Sequence, residues 1–225
     1  HIHGLGTAVP PHAISQEEAA DAAALRGCSS PEQQRQLKAL YRLSRVKKRH
    51  SVLLESGTDS GLARQSFFPP RRDEEDRGPT TAARMARYEA EAPRLGAQAA
   101  RRALEDARRQ PGDITHIVTV SCTGFAAPNF DLGLVRELGL PWTVARTHVG
   151  FMGCHGALNG LRVASAYADA DPRACVLLCA VELCSLHYQY GWNGNLVVSN
   201  GIFADGAAAL VGGPAPGPSG DDWVL

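Results

Sequence analysis

At 225 residues the chain is long enough to bury a substantial core, and its 44% hydrophobic content is ordinary for a globular protein. Its 23 basic and 23 acidic side chains cancel, so no global field draws it to nucleic acid or an anionic membrane surface. The longest apolar runs, such as Ala174 to Val181, fall short of a bilayer span and no charged-then-apolar leader opens the sequence, so a cytoplasmic protein with no membrane partner is expected.

His3 to Val9 reads as a first strand, ended by Pro10-Pro11. Ser15-Gln-Glu-Glu18 is a capping box that opens a helix through Ala24. Ser30-Pro31-Glu32-Gln33 opens a second helix, to about Ser44, with proline in its first turn and the basic segment Val46 to His50 behind it. Ser56 to Pro79, rich in glycine, proline and charge, reads as a long surface loop. Thr80 or Thr81 then caps a helix over Ala82 to Ala90, and a longer one runs from Pro93 to Arg109, stopped by Pro111-Gly112-Asp113. Ile114 to Ser121 is almost continuously β-branched, as in a strand covered on both faces of a parallel sheet. A helix over Asn129 to Leu138, a strand over Trp142 to His148, a helix over His155 to Ala170 and a strand over Ala174 to Val181 follow. A small-residue strand, Asp205 to Gly213, finishes the pattern. Strands separated by helices indicate βαβ units, hence an α/β fold with a mostly parallel sheet and helices on both faces.

None of the six cysteines forms a CxxC pair, and a chain with an ample core needs no disulfide framework; free thiols of a reducing compartment are expected. Cys179, Cys184 and His187 lack the paired spacing of a zinc site, so no metal is expected.

The stretch from Gly150 to Arg162 places Cys154 on a glycine turn between a strand and a helix. There the unpaired backbone N–H groups and the positive end of the helix dipole favour a thiolate, which suits nucleophilic acyl chemistry. A buried structural thiol is the alternative. Ligands of open parallel sheets bind beyond the carboxyl ends of strands. Ser121-Cys122-Thr123-Gly124 and Glu182 occupy two further such ends, so the three are expected to share one pocket. His148 and His155 lie too close in sequence to Cys154 to act as its base and read as structural or pocket residues.

These residues resemble the amino-terminal half of a bacterial type III polyketide synthase, the chalcone-synthase-like branch of the thiolase superfamily. The resemblance is carried by Gly4 to Pro10, Gly78 to Met85 with Tyr88-Glu, Val120 to Phe125 with Pro128, Gly150 to Arg162, Glu182 to His187, and Ile202 to Ala207. It implies a thiolase-like domain over residues 1–213, with 214–225 beginning the link to a second half. It implies an acyltransferase in which the cysteine matching Cys154 takes a starter acyl group from coenzyme A. Malonyl-CoA is then decarboxylated and its enolate extends the chain by two carbons. Phe203 matches a phenylalanine that packs against the malonyl group; a core aromatic beside Ile202 is the plainer reading.

Cys122, Glu182, Cys184 and His187 match positions lining the elongation cavity, and Cys122 reads equally as a packing thiol at a strand end. Lys38, Arg42 and Lys47, with Lys48, fall where the family binds coenzyme A phosphates, and equally read as a solvated basic face. A homodimer is implied, although Ala126-Ala127 stand where relatives carry a larger residue, commonly methionine, that reaches the neighbouring subunit. No cofactor is implied beyond the substrate thioesters; the starter is a long-chain acyl-CoA, an aryl-CoA or malonyl-CoA itself.

The family also needs a histidine and an asparagine from its second half, in Gly-Asp-His-Gly-Phe and Gly-Asn contexts that this sequence does not contain. Asn195 and Asn200 stand in different contexts. The resemblance thus implies that the chain alone does not complete catalysis. Two other readings remain: a condensing enzyme like β-ketoacyl carrier-protein synthase III, and a non-catalytic half acting as a dimerisation or acyl-binding module.

Overall fold

The computed structural model describes residues 1–56 and 64–214; of the expected link from 214 onward, all but Pro214 lies outside the described residues. In chain order the elements are β1 (Ile2–Ala8), β2 (Ala13–Ser15), α1 (Gln16–Gly27), α2 (Pro31–Leu43), β3 (Lys48–His50), α3 (Thr81–Asp106), β4 (His116–Ser121), α4 (Phe130–Leu138), β5 (Ala145–Gly150), α5 (Gly156–Ala170), β6 (Val176–Leu183), α6 (Gly194–Ile202) and β7 (Asp205–Gly212). The described residues fall into two units, 1–9 with 88–182 and 206–214, and 10–87 with 183–205.

The first unit is built on a five-stranded sheet of order β1-β7-β6-β4-β5. β4 runs parallel to β5 and to β6, while β1 lies antiparallel to β7. The sheet is mixed and mostly parallel, and the α/β class holds. Five of the six β4 residues are buried, as its β-branched sequence requires of a strand covered on both faces. One core cluster joins Val118, Val176, Leu178 and Leu210 of the sheet to Ala164 of α5, with Leu161 and Tyr167 packed against it. On α3, Ala97, Ala99, Ala100 and Ala103 are fully buried. Strand β1 meets this alanine face through glycine: a Cβ on Gly6 would lie 2.2 Å from the Ala99 carbonyl oxygen.

Two expectations shift in this unit. The helices anticipated at Ala82–Ala90 and Pro93–Arg109 are one helix, α3, with Pro93 inside it. An interior proline costs about 3 kcal/mol in an isolated helix. Here Ala92 is fully buried, and the Pro93 ring occupies the space over Gly133 of α4, where a Cβ would sit 2.6 Å away. Packing on both sides of the proline carries the helix through. Strand β5 begins at Ala145 rather than Trp142, because Val144 N–H closes a turn onto the Pro141 carbonyl (3.0 Å) and leaves Trp142 exposed.

In the second unit both helix starts follow their sequence signals. The Glu18 N–H donates to Ser15 Oγ (3.2 Å) and the Ser15 N–H to Glu18 Oε2 (3.0 Å), while Ser30 caps α2 through the Gln33 N–H (3.2 Å). Ala19, Ala20, Ala23, Leu37, Tyr41 and Val197 form the core between α1, α2 and α6. The ribbon β2–β3 and helix α6 carry too weak a local signal to be foreseen. The α6 sequence, Gly-Asn-Leu-Val-Val-Ser-Asn-Gly-Ile, consists largely of poor helix formers. Tertiary contacts fix it: Asn193 caps its start, Val197 and Gly201 are buried, and the Tyr41 ring lies where a Gly201 Cβ would come within 2.9 Å. The described parts of the expected loop, 56 and 64–79, contain no helix or strand. No described helix is long and apolar enough to cross a membrane.

Candidate active site

Three parallel strands of the first unit deliver the candidate residues at their carboxyl ends: β4 runs into Cys122, β5 into the turn before Cys154, and β6 carries Glu182. The Glu182 carboxylate accepts the Cys122 backbone N–H (2.9 and 3.2 Å) and the Thr123 hydroxyl (2.6 Å), tying the ends of β6 and β4 together. Behind them the fully buried Tyr88 ring lies flat on Gly124, leaving no room for a side chain there.

From β5 the chain passes through Phe151 (φ 56°) and Gly153 (φ 69°), then a 3-10 turn, Gly153–His155, before α5 begins at Gly156. A left-handed conformation at a non-glycine residue costs roughly 1–2 kcal/mol, so the end of β4 must hold this turn. It does: the Phe151 N–H donates to the Ser121 carbonyl (3.4 Å) and the Gly153 N–H to Cys122 Sγ (3.1 Å). The Cys122 thiol in turn donates to the Gly153 carbonyl (3.5 Å). Helix α5 reaches the sheet through two more glycines. A Cβ on Gly156 would stand 2.9 Å from Val120 Cγ1, and one on Gly160 2.9 Å from both Val120 Cγ2 and Leu178 Cδ1.

Cys154 therefore sits in the 3-10 turn immediately ahead of α5, with its side chain exposed. The same turn carries exposed Phe151 and Met152, and the Phe125 ring stands 6.2 Å from that of Phe151. An exposed thiol on a rigid turn, flanked by apolar side chains, can meet a thioester carbonyl and hold an acyl chain.

Neither flanking histidine is placed as a base. Asn129 Oδ1 accepts the Phe130 N–H (2.7 Å), which turns its amide nitrogen toward His148 Nε2 (3.0 Å). Nε2 thus accepts, and Nδ1 carries the proton toward Thr119 Oγ1 (2.9 Å). Burial lowers the His148 pKa, against the opposing charge of Asp131, and keeps the ring neutral. His155 Nδ1 accepts from the Asn159 amide one turn along α5 (3.2 Å). Cys179 is fully buried against the Gly96 carbonyl (3.6 Å), and burial pushes its thiol up to about 12.

The remaining candidates belong to the second unit. Cys184 and His187 bound the 3-10 turn Cys184–His187, the first half-buried and the second exposed. Buried Asp205, which sequence reasoning passed over, organises that turn. It accepts the Ser185 N–H (2.8 Å), the Ser185 hydroxyl (2.6 Å) and the Val52 N–H (2.8 Å). Burial raises its carboxyl pKa although these donors oppose the rise.

Phe203 follows α6 with its ring half-exposed. Its carbonyl accepts from Arg49 Nη1 (3.3 Å), which also binds the Asn200 carbonyl (2.5 Å), while Gln16 binds that of Gly201 (2.7 Å). Lys38 and Arg42 are exposed on α2, as are Lys47 and Lys48 beyond it. Lys38 pairs with Asp21 at 2.6 Å, and that hydrogen bond raises its pKa. The structure thus brings Cys154, Cys122 and Glu182 together in one unit and holds Phe203, Cys184, His187, Lys38, Arg42 and Lys47 in the other.

Comparison with known proteins gives a family profile described as chalcone and stilbene synthases, N-terminal domain, which matches residues 1–216. The chain is 33% identical over 216 residues to probable polyketide synthase 1 of Dictyostelium discoideum, covering 96% of this chain and 6% of that protein. It is 34% identical over 211 residues to an alpha-pyrone synthesis polyketide synthase-like protein of Mycobacterium tuberculosis, covering 93% of this chain and 50% of that one. Among solved structures, the C-terminal type III polyketide synthase domain of Steely1 from Dictyostelium aligns with a TM-score of 0.83 at 33% identity, over 96% of this chain and 56% of that one. The 1,3,6,8-tetrahydroxynaphthalene synthase of Streptomyces coelicolor aligns with a TM-score of 0.77 at 29% identity, over 95% and 56%. The chain spans about half the length, or less, of the curated relatives it matches here.

Proposed function

The chain belongs to the chalcone and stilbene synthase family, as the N-terminal half of a type III polyketide synthase, and from that premise we propose that it supplies the nucleophile of a decarboxylative condensing enzyme. Cys154 is that nucleophile. Its sulfur attacks the carbonyl of an acyl-CoA starter, a new C–S bond forms, and the coenzyme A thiolate leaves and is protonated. Malonyl-CoA then loses carbon dioxide, and the enolate carbon attacks the Cys154 thioester. That step releases the Cys154 thiolate and leaves a β-ketoacyl-CoA two carbons longer.

The observation that carries this reading is an exposed thiol on a turn gripped by the end of β4, which Glu182 of β6 anchors, immediately ahead of the N-terminus of α5. The placement of His148, neutral and hydrogen-bonded at both ring nitrogens, supports a division of labour. In it, the groups that polarise the thioester and stabilise the enolate come from a second half of the fold. In the same reading Phe203 is the family's phenylalanine that packs against the malonyl group, and Cys122, Glu182, Cys184 and His187 correspond to positions of the family's elongation cavity. Lys38, Arg42 and Lys47 bind the coenzyme A phosphates, Arg42 best suited to a bidentate contact. In this reading the complete enzyme acts in the cytoplasm as a homodimer and uses no cofactor beyond its thioester substrates.

The test is intact mass after incubation with acetyl-, long-chain acyl-, aryl- and malonyl-CoA, beside Cys154→Ala. A single adduct lost in the variant is expected; an adduct that persists in Cys154→Ala overturns the assignment. Absence of any adduct on the unmodified chain favours the non-catalytic module, and malonyl-dependent product from this chain alone overturns the need for a second half.

A further inference from the structure

We propose that Cys122 is a positioning residue whose thiol holds the Gly153 peptide and thereby presents Cys154, with the Glu182 carboxylate anchoring Cys122 in its turn. This rests on Cys154 being the nucleophile.

The turn that carries Cys154 holds two left-handed residues, Phe151 and Gly153. At Gly153 nothing lies within 4 Å of the position a Cβ would take, so glycine stands there for its backbone conformation and not for space. At Phe151 no such allowance exists, and strained backbone of this kind, costing about 1–3 kcal/mol, persists only where its surroundings over-determine it. The surroundings here come from the end of β4. Ser121 supplies a carbonyl to the Phe151 N–H, and Cys122 supplies a thiol to both polar groups of Gly153, accepting from its N–H at 3.1 Å and donating to its carbonyl at 3.5 Å. A side chain used twice on the residue preceding the nucleophile is a clip.

The clip needs a fixed base, and Glu182 provides it. Its carboxylate takes the Cys122 N–H through both oxygens and the Thr123 hydroxyl through one. Cys122 can therefore shift only if these bonds break. A displacement of about 1 Å at reacting atoms costs on the order of a hundredfold in rate, so relaxation of the turn by about half an ångström corresponds to about tenfold.

The experiment compares the unmodified chain with Cys122→Ala, Cys122→Val and Cys122→Ser, the second filling the volume without hydrogen bonds and the third keeping a donor and an acceptor. Peptide mapping follows label on Cys154 with two probes, hexanoyl-CoA over a concentration series and iodoacetamide. Cys122→Ala and Cys122→Val are expected to lower the saturating acylation rate about tenfold, by the displacement argument above, with the half-saturating thioester concentration unchanged. Cys122→Ser is expected to recover most of the rate, and iodoacetamide to follow the same order. A rate equal to that of the unmodified chain in Cys122→Ala overturns the proposal. So does acyl label on Cys122 itself, which would make it an acceptor, or a rise in half-saturation alone, which would make it a wall of the cavity. If hexanoyl-CoA leaves Cys154 unlabelled in the unmodified chain, this half alone does not activate the thiol, and the iodoacetamide series still decides whether Cys122 sets the turn.

Discussion

Replacing Gly124 by alanine tests the packing on which the candidate site stands. The added Cβ would lie 2.2 Å from Tyr88 Cγ and 2.3 Å from Cδ1 and Cδ2, in the face of a ring that is fully buried. That ring cannot tilt freely, because Phe130 stacks edge-on against it at 6.5 Å. Overpacking a core by one methyl group costs about 1–3 kcal/mol, and a rigid ring met face-on belongs at the upper end, about 2–3 kcal/mol. For a domain of this size each kcal/mol shifts the melting temperature by about 2–4 °C, so Gly124→Ala is expected to melt about 4–12 °C lower. Calorimetry or urea unfolding measures it, and a double-mutant cycle isolates the cause. In a Tyr88→Ala background the obstruction is gone, so Gly124→Ala should cost little, giving a coupling of about 2 kcal/mol. Strict additivity of the two substitutions, or a Gly124→Ala protein as stable as its parent, would refute the reasoning.

Two further outcomes follow from polar groups. Burial lowers the folded-state pKa of His148, so the unfolded chain binds its proton first. The associated stability is complete above the ordinary imidazole range and is lost as pH falls through the folded pKa. His148→Gln should flatten the dependence of melting temperature on pH between pH 8 and 5, and parallel curves for the two proteins would contradict this. Arg49→Met leaves the Asn200 and Phe203 carbonyls without their guanidinium donor and should cost about 1–3 kcal/mol. Hydrogen exchange at the Phe203 amide, which bonds the Ser199 carbonyl, should speed up with it; unchanged protection there would rule out the cap.

What could be read from the sequence was whatever neighbouring residues settle among themselves. Ser15 with Glu18, and Ser30 with Pro31, mark helix starts because the cap closes within four residues. The β-branched run of β4 and the glycine turn before Cys154 are equally local. The misses are of the opposite kind. Pro93 locally argues for a break, and only the space over Gly133 overrules it. Helix α6 has poor propensity and forms because Tyr41, Gln16 and Arg49 receive it. The grip of Arg49 on Phe203 spans 154 positions of chain, and that of Cys122 on Gly153 spans 31; neither leaves a periodicity to detect. Resemblance selects such residues without saying which way their side chains turn.

That last distinction changes how the candidate site is understood. From sequence, Glu182 reads as a strand-end residue that matches a wall of the family's elongation cavity. In the structure its carboxylate has three hydrogen bonds, two from a backbone N–H and one from a hydroxyl, all within one tight turn. That carboxylate fixes the backbone just beyond β4. The two flanking histidines are likewise committed, His148 at both nitrogens and His155 at Nδ1. Of the residues at the strand ends, Ser121 and Cys122 bond the turn that carries Cys154, and Glu182 holds Cys122. In the proposed reading, proton transfer and charge stabilisation fall to groups of a second half: one half fixes the nucleophile, and the other polarises what it attacks.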